Sequence, residues 1–285
     1  AIAGGGVTLS GRAAAGVAGI QVGSVWGSGV MDALSTSGNI ALDAGTNSIS
    51  FQNAASAIYF GSKTGSAVTA ATGNIRLTAD SLSLASALSY ANTTGTLTIA
   101  PTSASFTSAV NSTGWVLGTG LSALTVGSPT NTANITWSSS NTVNGPISIY
   151  GGDITLNSAI GTTDTSTGDV LLRGDHINSA FGISVADGRS LTVSNTADST
   201  LSGVVSGTNV RLTKLQTGVL NLTANHTYSG GTTVSAGTLV AGNAATSGVL
   251  GTGAITNNGV LSFKRSDAIS VADVISGTGI VKQEG

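Results

Sequence analysis

One short phrase recurs along this chain and constrains its fold more than any other feature: a glycine, a turn residue, then apolar-x-apolar. Early in the chain it reads Gly5-Gly6-Val7-Thr8-Leu9, Gly38-Asn39-Ile40-Ala41-Leu42, Gly73-Asn74-Ile75-Arg76-Leu77 and Gly95-Thr96-Leu97-Thr98-Ile99. Later it returns as Gly152-Asp153-Ile154-Thr155-Leu156, Gly168-Asp169-Val170-Leu171-Leu172, Gly188-Arg189-Ser190-Leu191-Thr192-Val193 and Gly237-Thr238-Leu239-Val240. Each copy is a turn followed by a short strand whose side chains alternate between two faces. Strands of the same texture lie between the copies: Ile49-Ser50-Phe51, Ile58-Tyr59-Phe60, Ile147-Ser148-Ile149 and Leu261-Ser262-Phe263. No helical period is sustained anywhere.

So many brief strands suit a sandwich, a barrel or a solenoid. The first two need tight antiparallel hairpins marked by Asn-Gly or Asp-Gly, and such signals are few and irregular here. The expectation is an all-β chain forming a right-handed parallel β-helix, or β-solenoid. Coils of roughly 20 to 25 residues stack inward Val, Ile and Leu into ladders. At that coil length the chain makes about a dozen coils, a rod on the order of 60 Å long at the usual strand spacing. Composition agrees: 41 glycines, 40% hydrophobic residues and only 8% charged residues describe a chain that folds, but not as an ordinary globule. Pro101, Pro129 and Pro146 fall at the ends of apolar runs, where a missing N–H does least harm. No linker divides the sequence, so residues 1–285 read as one continuous segment. A strand that begins near Gly277 and stops at Gly285 suggests a truncated piece.

A net charge of −2 leaves no basic footprint for nucleic acid, which is excluded as the main partner. With no cysteine there is neither a disulfide nor a thiolate metal site. No stretch approaches the roughly 18 apolar residues of a membrane helix. The segment Ala1-Ile2-Ala3-Gly4 lacks the features of a signal peptide.

Residues 212–243 read LTKLQTGVLNLTANHTYSGGTTVSAGTLVAGN. This resembles the passenger-associated transport repeat of autotransporters, with the signature residues Tyr228, Gly230, Gly231, Thr232, Thr233, Val234, Gly237 and Leu239. It departs from the usual form at Leu215-Gln216-Thr217-Gly218 and at His226, which replaces the usual Asn. The lead-in Val204-Val205-Ser206-Gly207-Thr208, followed by Leu212-Thr213-Lys214, is echoed by Val274-Ile275-Ser276-Gly277-Thr278 and Ile280-Val281-Lys282. Residues 204–285 therefore read as a repeat region with a second copy starting near 274. Residues 1–200 have the texture of filamentous-haemagglutinin-like exoproteins. The resemblance implies a passenger secreted through an outer-membrane β-barrel to the cell surface, with the repeat assisting secretion and folding. Host or cell-surface protein or glycan is the implied partner.

Candidate sites are sparse. Enzymes on parallel β-helices gather carboxylates and bases on one face, and here the only local cluster is Asp164, Asp169, Arg173, Asp175 and His176. It has no calcium-loop spacing and reads as solvated turn residues. No catalytic, cofactor or metal site is expected, and no cofactor. Within the cluster, Arg173-Gly174-Asp175 is the tripeptide that integrins read on a protruding loop, with a guanidinium fork beside a carboxylate. Sequons at Asn92, Asn111, Asn134, Asn221 and Asn225 arise freely in a Ser/Thr/Asn-rich chain, and Asn221 reads as structural. His176 and His226 read as lone turn or surface residues. Trp26, Trp115, Trp137 and Tyr150 read as core or cap residues rather than a sugar-stacking surface. The expected function is a structural and adhesive rod without catalysis. The rivals are a polysaccharide-active enzyme on the same fold and an ice-binding solenoid, suggested by pairs such as Thr96 and Thr98.

Overall fold

The computed structural model describes residues 7–10, 20–22, 34–35, 39–45, 47–51, 58–64, 67–69, 71–83, 89–91, 93–118 and 120–284. Among them there is no helix. The described strands pair in parallel, apart from Ile58–Thr64, which also pairs antiparallel with Ala67–Thr69. The result is a parallel β-solenoid of about nine turns among the described residues. Its contacts group into two compact units, residues 1–144 with 149–151, and residues 145–148 with 152–285.

In the first unit, Val7–Ser10, Ile40–Asp43, Ile75–Thr78, Thr96–Ala100 and Ala123–Val126 follow one another across one sheet. The tight turn after each glycine sets the next residue inward, and alternation does the rest. Ile40, Ile75, Leu97 and Leu124 therefore form one buried ladder, and Leu42, Leu77, Ile99 and Val126 a second. Each such side chain contributes roughly 1.5–3 kcal/mol by leaving water. Coil length varies here: register partners Ile40 and Ile75 are 35 residues apart, whereas Ile75 and Leu97 are 22 apart. The loop 101–109 is tied down by buried Asp80, whose carboxylate accepts from Thr102 N (2.9 Å), Ser103 N (2.8 Å) and Ser103 Oγ (2.6 Å).

The second unit is more regular. Val170–Gly174, Ser190–Asn195, Arg211–Leu215, Thr232–Val234, Ile255–Asn257 and Ile275–Ser276 make the first sheet. Ile154–Leu156, Ile177–Ser179, Ser199–Leu201, Val219–Leu222, Thr238–Ala245, Val260–Arg265 and Ile280–Gln283 make the second. A third sheet holds Ile160–Thr162, Ile183–Ser184 and Val205–Ser206. Register partners on the first sheet are 21 residues apart from Leu191 to Leu212, 20 to Thr232, 23 to Ile255 and 20 to Ile275.

The corners between the first and second sheets carry a device that composition hides. Where the chain bends, backbone carbonyls turn away from the ladder, and a buried side chain must donate to them. Asn195 Nδ2 donates to Ala197 O (2.7 Å) and Val219 O (2.8 Å), and Asn257 Nδ2 donates to Ile280 O (2.9 Å). In the first unit Asn131 Nδ2 donates to Tyr150 O (2.8 Å) and Ala133 O (3.2 Å).

Candidate functional site: the repeat segment

Residues 212–241 complete one coil and begin the next, and nearly every signature side chain is a packing element. Leu212 is buried between Leu191 and Thr232. Two positions on, alternation points Lys214 inward as well, into the ladder between Val193 and Val234, where it is fully buried. Its ammonium donates to Leu215 O (2.7 Å) and Gln216 O (2.8 Å). Burial alone brings its pKa down to about 8, because the charged form has lost water. Lys214 thus does with an amine what the corner asparagines do with an amide.

After the corner, Leu220 and Leu222 point inward on the second sheet, and Leu239 stacks on Leu220. The chain then crosses along the third side. His226 is buried, and its Nδ1 accepts from Val205 N at 3.0 Å. Loss of solvent lowers its pKa to about 4, so the ring is neutral. Tyr228 is wholly buried, and its hydroxyl meets Thr232 Oγ1 at 2.7 Å, tying the third side to the first sheet across the interior. Burial raises that phenol to about 12.

The glycines of the signature mark close approaches. Gly231 has φ +92, and a Cβ there would lie 2.4 Å from Ala254 O in the next coil. Gly237 has φ +69, and a Cβ would lie 2.5 Å from Gln216 O in the previous coil. Only a residue without Cβ lets the coils stack here. Gly230 N donates to Val210 O (2.7 Å), Thr233 faces outward, and Val234 closes the inward ladder.

Other sequence-derived candidates disperse. Arg173 and Asp175 are exposed; Arg173 and Gly174 end a strand in register with Ser194 and Asn195, and Asp175 sits in the bend that follows. The Asp175 carboxylate accepts from the Thr196 hydroxyl. Asp164 caps its own turn, accepting from Ser166 N (2.7 Å) and the Thr167 hydroxyl (2.8 Å), which holds its carboxyl below the usual range. Asp169 pairs with Arg189 from the next coil. His176 is an exposed turn residue, as expected, and stacking gives it a partner 23 residues away, Asp153 Oδ1 at 2.7 Å from its Nδ1. His226, by contrast, is buried rather than a surface residue. Among the described residues no group of three or more His, Asp or Glu could hold a metal.

Trp115 and Trp137 are core residues, as expected, and Tyr150 is half-buried. Trp26 and Asn92 lie outside the described residues. Asn221 is structural, its Nδ2 donating to Ser199 O at 3.0 Å. Asn111 and Asn225 are exposed, with Asn111 Oδ1 accepting from Thr113 and Asn225 Oδ1 from Gly248 N. The echo of the repeat does not become a structural copy. Val205–Ser206 pairs on the third sheet, whereas Ile275–Ser276 pairs on the first. Lys282 accordingly lies exposed on the second sheet, unlike Lys214. One array is visible only in the structure: Thr192, Thr213, Thr233 and Thr256 are successive register partners on the outer face of the first sheet. The Thr-x-Thr pairs conceal it, because the column forms between coils rather than along one strand.

Residues 212–241 match the family described as the passenger-associated-transport-repeat. No curated protein and no solved structure matches the chain. Fold and repeat together define a class, the β-solenoid carrying a passenger-associated transport repeat, and this combination fits the passenger of an autotransporter. The repeat implies type V secretion through an outer-membrane translocator and suggests a surface or extracellular location.

Proposed function

We propose that this chain is a structural and adhesive rod segment of a large secreted bacterial surface protein, without catalysis. We further infer a right-handed solenoid, which the strong handedness of parallel crossovers supports, running to about a dozen coils over residues 1–285. Spacings of 20 to 23 residues in the second unit support that count. One observation carries the reading: the transport repeat is not an appendage but a load of side chains shared with its neighbouring coils, so the segment that marks secretion is also rod. Filamentous-haemagglutinin-like character rests on the texture of residues 1–200. The absence of catalysis is supported by the way charged groups spread over separate corners, Asp153 with His176 and Asp169 with Arg189 across stacked coils and Arg265 with Asp267 two residues on. A host or cell-surface protein or glycan is the proposed partner, and the outer-membrane β-barrel the partner during secretion.

The test is display of the full-length protein in a Gram-negative host, read by protease accessibility on intact cells. Surface-exposed protein is expected, and Gly231→Val should cut it several-fold by blocking coil stacking. Periplasmic retention of the unaltered chain sinks the secretion reading. Binding of the segment to a glycan and matrix array tests adhesion, and a blank array removes it. The threonine column favours a second reading, ice binding. It runs single file, since Arg211 and Leu215 flank Thr213 on the same strand. Thermal hysteresis of the purified segment decides it, and none is expected.

A further inference from the structure

The strand Arg211–Leu215 is loaded in three ways that its neighbours are not. Its inward ladder position holds an ammonium instead of an aliphatic side chain, with only two carbonyls for company. The residue before Val210 and the residue after Leu215 are both non-glycine residues in the left-handed region, Asn209 at φ +54 and Gln216 at φ +63. Ala244 alone shares that property among the described residues. Each such residue stores strain that the surrounding structure must hold. In the flanking strands the matching ladder positions are Val193 and Val234, which lose nothing by burial.

We infer that Arg211–Leu215 is a built-in opening point, a strand held in a costly conformation that releases ahead of Ser190–Asn195 and Thr232–Val234 on either side. Release returns Lys214 to water and frees both left-handed corners in one step. Closure rests on the surrounding contacts: Leu212 between Leu191 and Thr232, and the Tyr228 to Thr232 hydroxyl pair one coil on. The inference is independent of the secretion reading, since it concerns only the local stability of this coil.

Native-state amide hydrogen exchange on the full chain tests it. Peptides covering 209–217 are expected to exchange at least tenfold faster than those covering 190–195 and 232–234, although all three strands lie inside one sheet. Lys214→Gln removes the charge while keeping an amide donor for Leu215 O and Gln216 O, and should slow exchange of 209–217 about tenfold or more. Equal protection of the three strands in the unaltered chain overturns the inference, as does a folded Gln variant whose exchange is unchanged or faster. Where the Gln variant does not fold, Gln216→Gly takes its place. It keeps Lys214, relieves the corner and should slow the same peptides about fivefold. No slowing in that variant also overturns the inference.

Discussion

Lys214 and His226 are where a single residue sets how this protein responds to pH. Both are bases whose folded pKa lies below the unfolded one, so in each case the unfolded chain binds more protons across the gap, and stability rises with pH there. For His226 the window runs from about 4 to the unperturbed 6.5: stability is full above 6.5 and drains as the pH falls toward 4. The drop is on the order of 3 kcal/mol. His226→Asn keeps an acceptor for Val205 N, carries no titrating ring and restores the residue usual at this point of the repeat. Urea unfolding at pH 7 should therefore change by less than about 1 kcal/mol, while the loss between pH 6.5 and 4 shrinks. A variant that keeps the full acid loss would place the titrating group elsewhere. For Lys214 the window is alkaline, from about 8 to 10.5, and stability climbs through it. Lys214→Met should abolish that climb. Neither burial was legible in the sequence, because a polar residue at an inward position looks the same as one at a turn until the strand's start is known. In the strand Arg211–Leu215 the inward pair is Leu212 and Lys214, which leaves Leu215 outside.

At the scale of elements, the strands were readable and their faces were not. The glycine phrase predicts strands at Ile40, Ile75, Leu97, Ile154, Val170 and Leu191, and strands stand at each. The same phrase serves both sheets, however: Ile154 belongs to the second and Val170 to the first. Both sheets ask for one thing after a tight turn, an inward aliphatic residue, so the phrase carries no address. That is why the echo at 274–282 read as a second repeat and yet lands one side further round. What does carry an address is the interior tie made by Tyr228. Tyr228→Phe removes the partner of Thr232 Oγ1 deep in the core and should cost about 1–3 kcal/mol in chemical unfolding. Thr232→Val in the same background should recover most of it, since no hydroxyl is then left unpaired. An additive double variant would mean that the two hydroxyls do not act together. Gly231→Ala belongs at this scale too, because its Cβ strikes the next coil rather than its own. A loss of at least about 2 kcal/mol is expected, and a neutral result would mean that the coils separate locally without penalty.

For the molecule as a whole, the balance of forces follows from how little charge it carries. Charged residues are 8% of the sequence. The ion pairs described, Asp153 with His176, Asp169 with Arg189 and Asp267 with Arg265, each have at least one partly exposed member. Exposed pairs contribute between nothing and about 1 kcal/mol each, and salt screens them. Aliphatic ladders, by contrast, contribute through every coil and do not respond to screening. Unfolding by urea should therefore be nearly independent of sodium chloride between about 0.05 and 1 M, with a change under about 1 kcal/mol, and indifferent to EDTA. Sodium sulfate at the same ionic strength should raise the midpoint, because it strengthens apolar burial rather than screening charge. If chloride lowered stability by more than about 2 kcal/mol, electrostatics would be holding the coils together and the ladder account would fail. If EDTA lowered it, a cation would be bridging coils. Insensitivity to both is what the ladders predict, because apolar burial within each coil responds neither to screening nor to chelation.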